Sequence, residues 1–330
     1  MSFRVPGLDG FLLSMLGAIA LALAFPVFGT STGPLHMGWL ATIGIGLVFF
    51  LHGASLSTEY LREGAGHWQL HLFVQTSTYV VFGLIGVSVS LLARGLLPQT
   101  LLNGFFYLCV LPSTVTSSVA LTAVAHGNVA GAIFNATLSS LIGMVLTPLL
   151  ISLWLHTSGH GLSLESQIIG IARELLLPFA VGHLLHRRLG PWLQRNSRGV
   201  GLVDRGVVVL IVYNAFCDST SAGLWHQYSA LALVGIAAMS VTLLGSVLSL
   251  TTFASRRFGF NKEDEITAVF CGSKKSLAVG APMAKLLFAG SASLGLIVLP
   301  LIIYHQAQLF VCSVLARRYA LRLAHAPPVR

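Results

Sequence analysis

Charge is scarce in this sequence: 9% of its 330 residues carry one, and Asp and Glu together fill ten positions. A soluble domain normally keeps about a quarter of its residues charged to hold its surface in water. The shortage excludes that class. It also leaves no soluble basic face to read nucleic acid, despite a formal net charge of +9. Cysteine is sparse as well, with Cys109, Cys217, Cys271 and Cys312 scattered through apolar stretches. That spacing gives no disulfide framework and no zinc-ligand pattern, so the thiols read as packing residues. Neither metal nor cofactor is expected. What fills the chain is apolar: hydrophobic residues make up 55% of it, with 34 glycines among the rest.

A helix needs about 20 apolar residues to cross the hydrocarbon of a bilayer. Such runs recur at 9–28, 36–57, 70–93, 100–125, 128–155, 166–186, 202–221, 229–253, 264–288 and 293–316. The sequence therefore predicts an all-α polytopic membrane protein of about ten transmembrane helices. An outer-membrane barrel would need segments of about ten residues alternating strictly in and out; these runs are continuous and rich in Leu, Ala, Ile and Gly. Arg4 ahead of a run closing on Ala22-Leu23-Ala24 has the look of a cleavable leader. With so many further runs behind it, a retained helix is the reading taken. Basic residues collect in cytoplasmic loops. With the N-terminus inside, Arg4, Arg62, Arg187, Arg188, Arg195, Arg198, Arg205, Arg256, Arg257, Lys262, Arg317, Arg318, Arg322 and Arg330 fall on that side, and Arg94 alone falls outside. This predicts an inner (plasma) membrane protein with both termini cytoplasmic.

The runs divide evenly about a point near residue 160, so 1–160 and 161–330 are read as two five-helix units. An odd number of spans per unit places the units in opposite orientations, the inverted repeat of many secondary transporters. Two interruptions sit equally deep in the two units: LPSTVTSSVA at 111–120 and CGSKKSLAVGAP at 271–282. Unwinding frees backbone N–H and C=O groups that lipid cannot satisfy, so they must face protein, water or substrate. Simple kinks at Pro112 and Gly272, with serines bonding back one turn, would explain one such span. They do not explain a matched pair carrying two lysines.

A lysine near the bilayer centre costs about 2.5–3.5 kcal/mol on insertion scales. Lys274 and Lys275 lie about ten residues beyond Glu263-Asp264-Glu265, roughly 15 Å along a helix, too deep to snorkel. Lys285, about a turn from the outer end, is near enough. Acidic partners in the spans are few, chiefly Glu174 and Asp218. The excess of fixed positive charge points to an anionic substrate, or to a lysine that releases its proton during a cycle. Adjacent helical residues point about 100° apart, so the two lysines are expected to serve different surroundings.

Other patterns carry less. GSKKS lacks the Gly-Lys-Ser order and upstream glycine of a phosphate loop. His67 with His71, and His183 with His186, have helix-face spacing but no third ligand. His52 and His305 are deeper, where they would line a cavity. Asn135-Ala136-Thr137 matches a glycosylation acceptor but lies inside a span. Tyr213, Asn214 and Asp218 of YNAFCDS fall within about a turn of one another, either to meet substrate or to bond neighbouring helices.

Three segments, LPSTVTSSVALTAVAHGNVAGAIFNATLSSLIGMVLTPLL at 111–150, FCGSKKSLAVGAPMAKLLF at 270–288 and PLIIYHQAQLFVCSVLA at 300–316, carry a resemblance that extends over nearly the whole chain. The sequence resembles the bile acid/sodium symporter superfamily (solute carrier family 10), in its bacterial branch related to the seventh vertebrate member. The resemblance implies a panel of the first, second, sixth and seventh helices and a core of the other six. Broken fourth and ninth helices then cross in the core, with substrate between panel and core and sodium behind the crossing. By position, Ser117 and Ser118 occupy the family's sodium-coordinating Ser-Asn pair, and Gln75 matches its third-helix glutamine. The departures matter more. The family's ninth-helix glutamate falls at Phe270, a fifth-helix hydroxyl ligand falls near Ala136, and a Gln-Asn pair reads Lys274-Lys275.

Sodium wants oxygen ligands and negative charge nearby. Losing the carboxylate and gaining two ammoniums inverts that demand. A lysine head group is therefore expected where sodium would sit, bonded to some of Thr116, Ser117, Ser118, Asn135, Ser139 and Ser140, with coupling to protons or none. The candidate binding residues are these together with Gln75, Ser113, Thr114, Ser273, Lys274, Lys275, Ser276, Asn214, Asp218 and His305. The function expected is secondary transport of an organic anion or amphipathic solute by alternating access. Its partners are then a small-molecule substrate and the lipid bilayer. A transporter-like receptor or regulator that binds without net transport is the alternative. An enzyme using a lysine nucleophile lacks a partner carboxylate, catalytic histidine or cofactor motif.

Overall fold

The computed structural model describes residues 10–56, 66–157 and 172–324. Arg4, Arg62, Arg330, the start of the sixth apolar run and the midpoint near residue 160 lie outside the described residues. Within them the chain is helical, without a strand. The helices are α1 (Gly10–Ala24), α2 (Met37–Ser55), α3 (Trp68–Leu92), α4 (Gln99–Val110), α5 (Thr116–Val124), α6 (Val129–Thr157), α7 (Leu177–Leu184), α8 (His186–Arg195), α9 (Ser197–Ser221), α10 (Ala230–Arg257), α11 (Lys262–Ser273), α12 (Leu277–Leu287) and α13 (Leu294–Ala324).

Six of these, α2, α3, α6, α9, α10 and α13, are singly long and apolar enough to cross a membrane. The chain is an integral membrane protein. Of the remaining predicted runs, the first is the shorter apolar helix α1. The fourth and ninth each divide into two helices, α4 with α5 and α11 with α12. The sixth is described from the π turn Ala172–Leu176 into α7.

Local chemistry sets the boundaries. Asn261 caps α11 by accepting from the Asp264 N–H at 2.8 Å, and Glu263, Asp264 and Glu265 in the first turn suit the positive end of the helix dipole. Ser229 caps α10 through the Ala232 N–H. Inside α3 the turn Thr76–Val81 is π-wound, which displaces carbonyls from the regular ladder.

Helices α1 and α2 pack on α9, and α7 packs on α2. Across α9 lie α12 and α13; α13 in turn packs on α4 and α10, while α11 packs on α3, α5, α6 and α10. The α2–α7 contact is close enough to need glycine on both sides. A Cβ on Gly53 would meet the Phe179 carbonyl oxygen, and one on Gly182 would meet that of Phe50. In lipid, where burying apolar surface gains nothing between helices, such close approach is a main source of association. We expect Gly182→Ala to cost about 1–3 kcal/mol through overpacking and to lower the melting midpoint of the detergent-purified protein. Gly206→Ala, where nothing lies within 4 Å of the new methyl, should leave it unchanged. Equal midpoints for the two variants would contradict the packing.

Candidate functional site

Two helix breaks meet in the interior. Helix α4 stops because Pro112 cannot continue it and pushes Leu111 into extended backbone at φ −72° and ψ 153°. At the other break, Lys274 is extended at φ −100° and ψ 151°. The Ser276 side chain then starts α12 by accepting from the Val279 N–H. The breaks touch directly, with the Ser276 N–H donating to the Pro112 carbonyl at 2.9 Å.

A helix end leaves its last four carbonyls without partners. At the end of α11 each one receives a hydroxyl from another helix. Ser118 donates to Phe270 O at 3.4 Å, Ser113 to Cys271 O at 2.7 Å, Ser77 to Gly272 O at 2.8 Å and Tyr304 to Ser273 O at 2.5 Å. The hydroxyl cluster in the broken fourth span thus serves the main chain of the ninth. At the end of α4, Thr147 donates to Val110 O at 2.6 Å.

The Cys109 carbonyl in the last turn of α4 and the Leu111 carbonyl just past it take a charge. Lys275 Nζ donates to Cys109 O and Leu111 O, both at 2.7 Å, and to Thr78 O in the π turn of α3 at 2.8 Å. Three acceptors match the three N–H donors of an ammonium. It sits where the dipole of α4 is negative, and the face of Phe82 lies 3.9 Å away. The main chain is fixed too: Gln308 Oε1 accepts from Lys275 N at 2.9 Å and Gln308 Nε2 donates to Lys275 O at 2.8 Å. His305 Nδ1 lies 2.9 Å from the same amide nitrogen of Gln308.

Lys274 is equally buried but held differently. Its Nζ donates to Ser117 O at 2.8 Å, and the ring of Phe270 lies 5.7 Å away. Ser117 is among the residues expected from sequence, and it accepts through its main-chain carbonyl. Thr116 is exposed, and the Ser117 hydroxyl faces Thr114 at 3.5 Å. Asn135 donates to Gly131 O, and Ser139 Oγ accepts from the Ser113 N–H at 2.9 Å. Ser140 and Ser273 bond back within their own helices, to Ala136 O and Val269 O. Gln75 Nε2 donates to Asn135 O at 3.1 Å, and its buried Oε1 has no hydrogen-bond partner among the described residues.

Asn214 and Asp218 are not joined to the lysine pair. They form a second polar cluster with Lys285, whose Nζ reaches Asn214 Oδ1 at 2.6 Å, Ser31 Oγ at 2.9 Å and Asp218 Oδ2 at 3.7 Å. Ser31 donates to Asp218 through its hydroxyl at 2.6 Å and its N–H at 2.7 Å. Lys285 does not snorkel: its side chain is 15% exposed because Asp218 offers it a carboxylate inside. Glu174, the other acid expected in the spans, is exposed and outside both clusters. His52 pairs with Asp204 at 3.3 Å and His67 with Asp264 at 3.5 Å, while His186 Nδ1 contacts Ala54 O at 2.8 Å.

Sequence reasoning missed Gln308, Tyr304, Ser77, Thr78 and Ser31. For the first two a signal exists, because Tyr304, His305 and Gln308 share one helical face in an apolar run. Removing a buried partner leaves each stranded carbonyl at a cost of about 1–3 kcal/mol, and Lys275 satisfies three. That total, about 3–9 kcal/mol, lies mostly above the roughly 2.5–3.5 kcal/mol gained by deleting a membrane-buried charge. Lys275→Ala is therefore expected to lower the melting midpoint of the detergent-purified protein clearly more than Lys274→Ala, which strands one carbonyl. The reverse order in a thermal melt would refute the division of labour.

The model of the SBF-like CPA transporter family matches residues 9–321. An uncharacterized protein of Pseudomonas aeruginosa is 46% identical, with 97% of each chain covered. A putative symporter, YfeH, of Escherichia coli is also 46% identical, over 96% of this chain and 94% of the relative. Sodium/bile acid cotransporter 7 of Xenopus tropicalis is 34% identical over 97% of both chains. A match along nearly the entire length, to the family model and to bacterial and vertebrate relatives alike, places the chain in the SBF-like CPA transporter family of membrane transporters.

Proposed function

We propose that the chain is a secondary transporter of an organic anion or amphipathic solute, working by alternating access, with its own ammoniums in place of the sodium ions of related symporters. In this reading the membrane is the bacterial inner membrane and both termini are cytoplasmic. The ten spans form two inverted units, 1–160 and 161–330, with the first, second, sixth and seventh as a panel against a six-helix core.

The observation that carries the reading is the Lys275 ammonium seated on three main-chain carbonyls at the crossing of the breaks. Carbonyl oxygens at helix ends are ligands a hard cation would take. Here a covalently attached cation takes them, and Phe270 stands where a carboxylate would otherwise compensate a mobile one. Lys275 is the fixed charge. Lys274, with one carbonyl acceptor, is the group left to meet the anionic part of a substrate or to exchange a proton. The printed names of the vertebrate relatives, sodium/bile acid cotransporters, favour amphipathic anions as the first substrates to try.

The Lys285 cluster supports a two-state account. It ties α12 to α9 and to the segment after α1 through one ion pair and hydrogen bonds to Ser31 and Asn214. In the proposed cycle this contact forms when the outer side closes and parts when it opens.

Uptake of labelled bile-acid conjugates and simpler amphipathic anions into proteoliposomes, with sodium, proton or no gradient imposed, tests the reading. Uptake should proceed without sodium. Lys274→Gln, which keeps a hydrogen-bond donor and removes the charge, should reduce uptake by at least about tenfold, the effect of about 1.4 kcal/mol, while leaving the protein folded. A stoichiometric sodium requirement would sink the replacement of ions by lysines. Ligand-induced thermal stabilisation without uptake of any bound compound would instead indicate a receptor.

A further inference from the structure

Away from the crossing, a groove of about 630 Å³ runs between α10 and α13. Its walls include Gly245, Leu248, Phe253, Phe310 and Val311, and it ends at Arg256 and Arg318. Phe253 and Phe310 are 70% and 52% exposed, as expected of side chains facing acyl chains rather than protein. The arginines lie at the end that the basic bias of the loops assigns to the cytoplasm.

Charge at this end is unbalanced. Glu265 accepts from Arg256 at 3.1 Å and from Lys262 at 2.8 Å, so one carboxylate already faces two cations. Arg318 adds a third, is exposed, and has no acidic partner among the described residues. Guanidinium forks match phosphate oxygens bidentately. An apolar channel ending in unbalanced guanidinium charge at headgroup depth has the chemistry of an anionic phospholipid. A second groove, of about 470 Å³ between α3 and α10, is lined by Trp68, Phe73 and Phe258 without any charged residue. Charge separates the two.

We infer that the α10–α13 groove is a binding site for one anionic phospholipid, its phosphate on Arg318 and Arg256 and its acyl chain along Phe253 and Phe310. The site is independent of whether the chain transports anything, because its readout is lipid retention. Native mass spectrometry of the detergent-purified full chain, titrated with phosphatidylglycerol or phosphatidylcholine of matched acyl chains, tests it. The first phosphatidylglycerol is expected to be retained about fivefold better than phosphatidylcholine, and Arg318→Gln is expected to erase most of that preference. Gly245→Trp, placed where an added Cβ meets no atom within 4 Å, extends into the groove that Gly245 lines and should reduce binding of the first lipid while Arg318 remains. Equal retention of the two lipids, or a preference surviving both substitutions, would overturn the assignment. Displacement of phosphatidylglycerol by millimolar inorganic phosphate would also overturn it, by making this a free-anion site.

Discussion

An ammonium bound to three carbonyl oxygens away from water is the interaction on which this structure turns. Breaking a helix inside a membrane exposes main-chain groups that lipid cannot bond. Where the two breaks touch, each supplies what the other lacks. The α4 terminus presents carbonyls, and the segment after α11 presents the Lys275 amine that satisfies two of them. The α11 terminus presents its own, and Ser113 and Ser118 beyond the first break satisfy two of those. Neither interruption would be tolerable alone. Together they form a closed set of bonds extended by Ser77, Thr78, Tyr304 and Gln308.

A tethered cation differs from a captured one in what it can be asked to do. A bound ion leaves with the gradient that delivered it, and its binding free energy can drive a conformational equilibrium only through different affinities in the two states. A lysine never leaves. On the proposed reading, the crossing has exchanged an energetic input for permanent cohesion, and any coupling must run through a group less completely bonded than Lys275. Lys274 meets that description, with its single bond to the Ser117 carbonyl.

Much of this was visible in the residues. Apolar runs of the required length fixed the class, and Pro112 and the GSKKS interruption marked both breaks because proline and consecutive lysines have no ordinary place in a span. The lysines, placed far from a span end by helical rise, are both fully buried. Their partners were not legible, because main-chain carbonyls are the same in every residue and leave no trace in a sequence. Ser117, one of the residues expected to receive an amine, does so through its carbonyl, while the Ser113 and Ser118 hydroxyls serve other carbonyls, which cannot be told apart by residue type. For Lys285 a position near a span end left snorkelling open, and only the fold shows Asp218 within 3.7 Å. The π turn in α3, which frees Thr78, follows no proline or glycine inside Thr76–Val81 that would have announced it.

The three residues between α11 and α12 anchor α3, α4, α5 and α13 at once, through Thr78, Cys109 and Leu111, Ser117 and Gln308. A hinge cannot sit where so many elements share so few atoms, since bending one would strip donors from the rest. On the proposed reading, displacement within this molecule therefore falls along softer seams, where helices meet side chain to side chain, and the knot at the break travels whole.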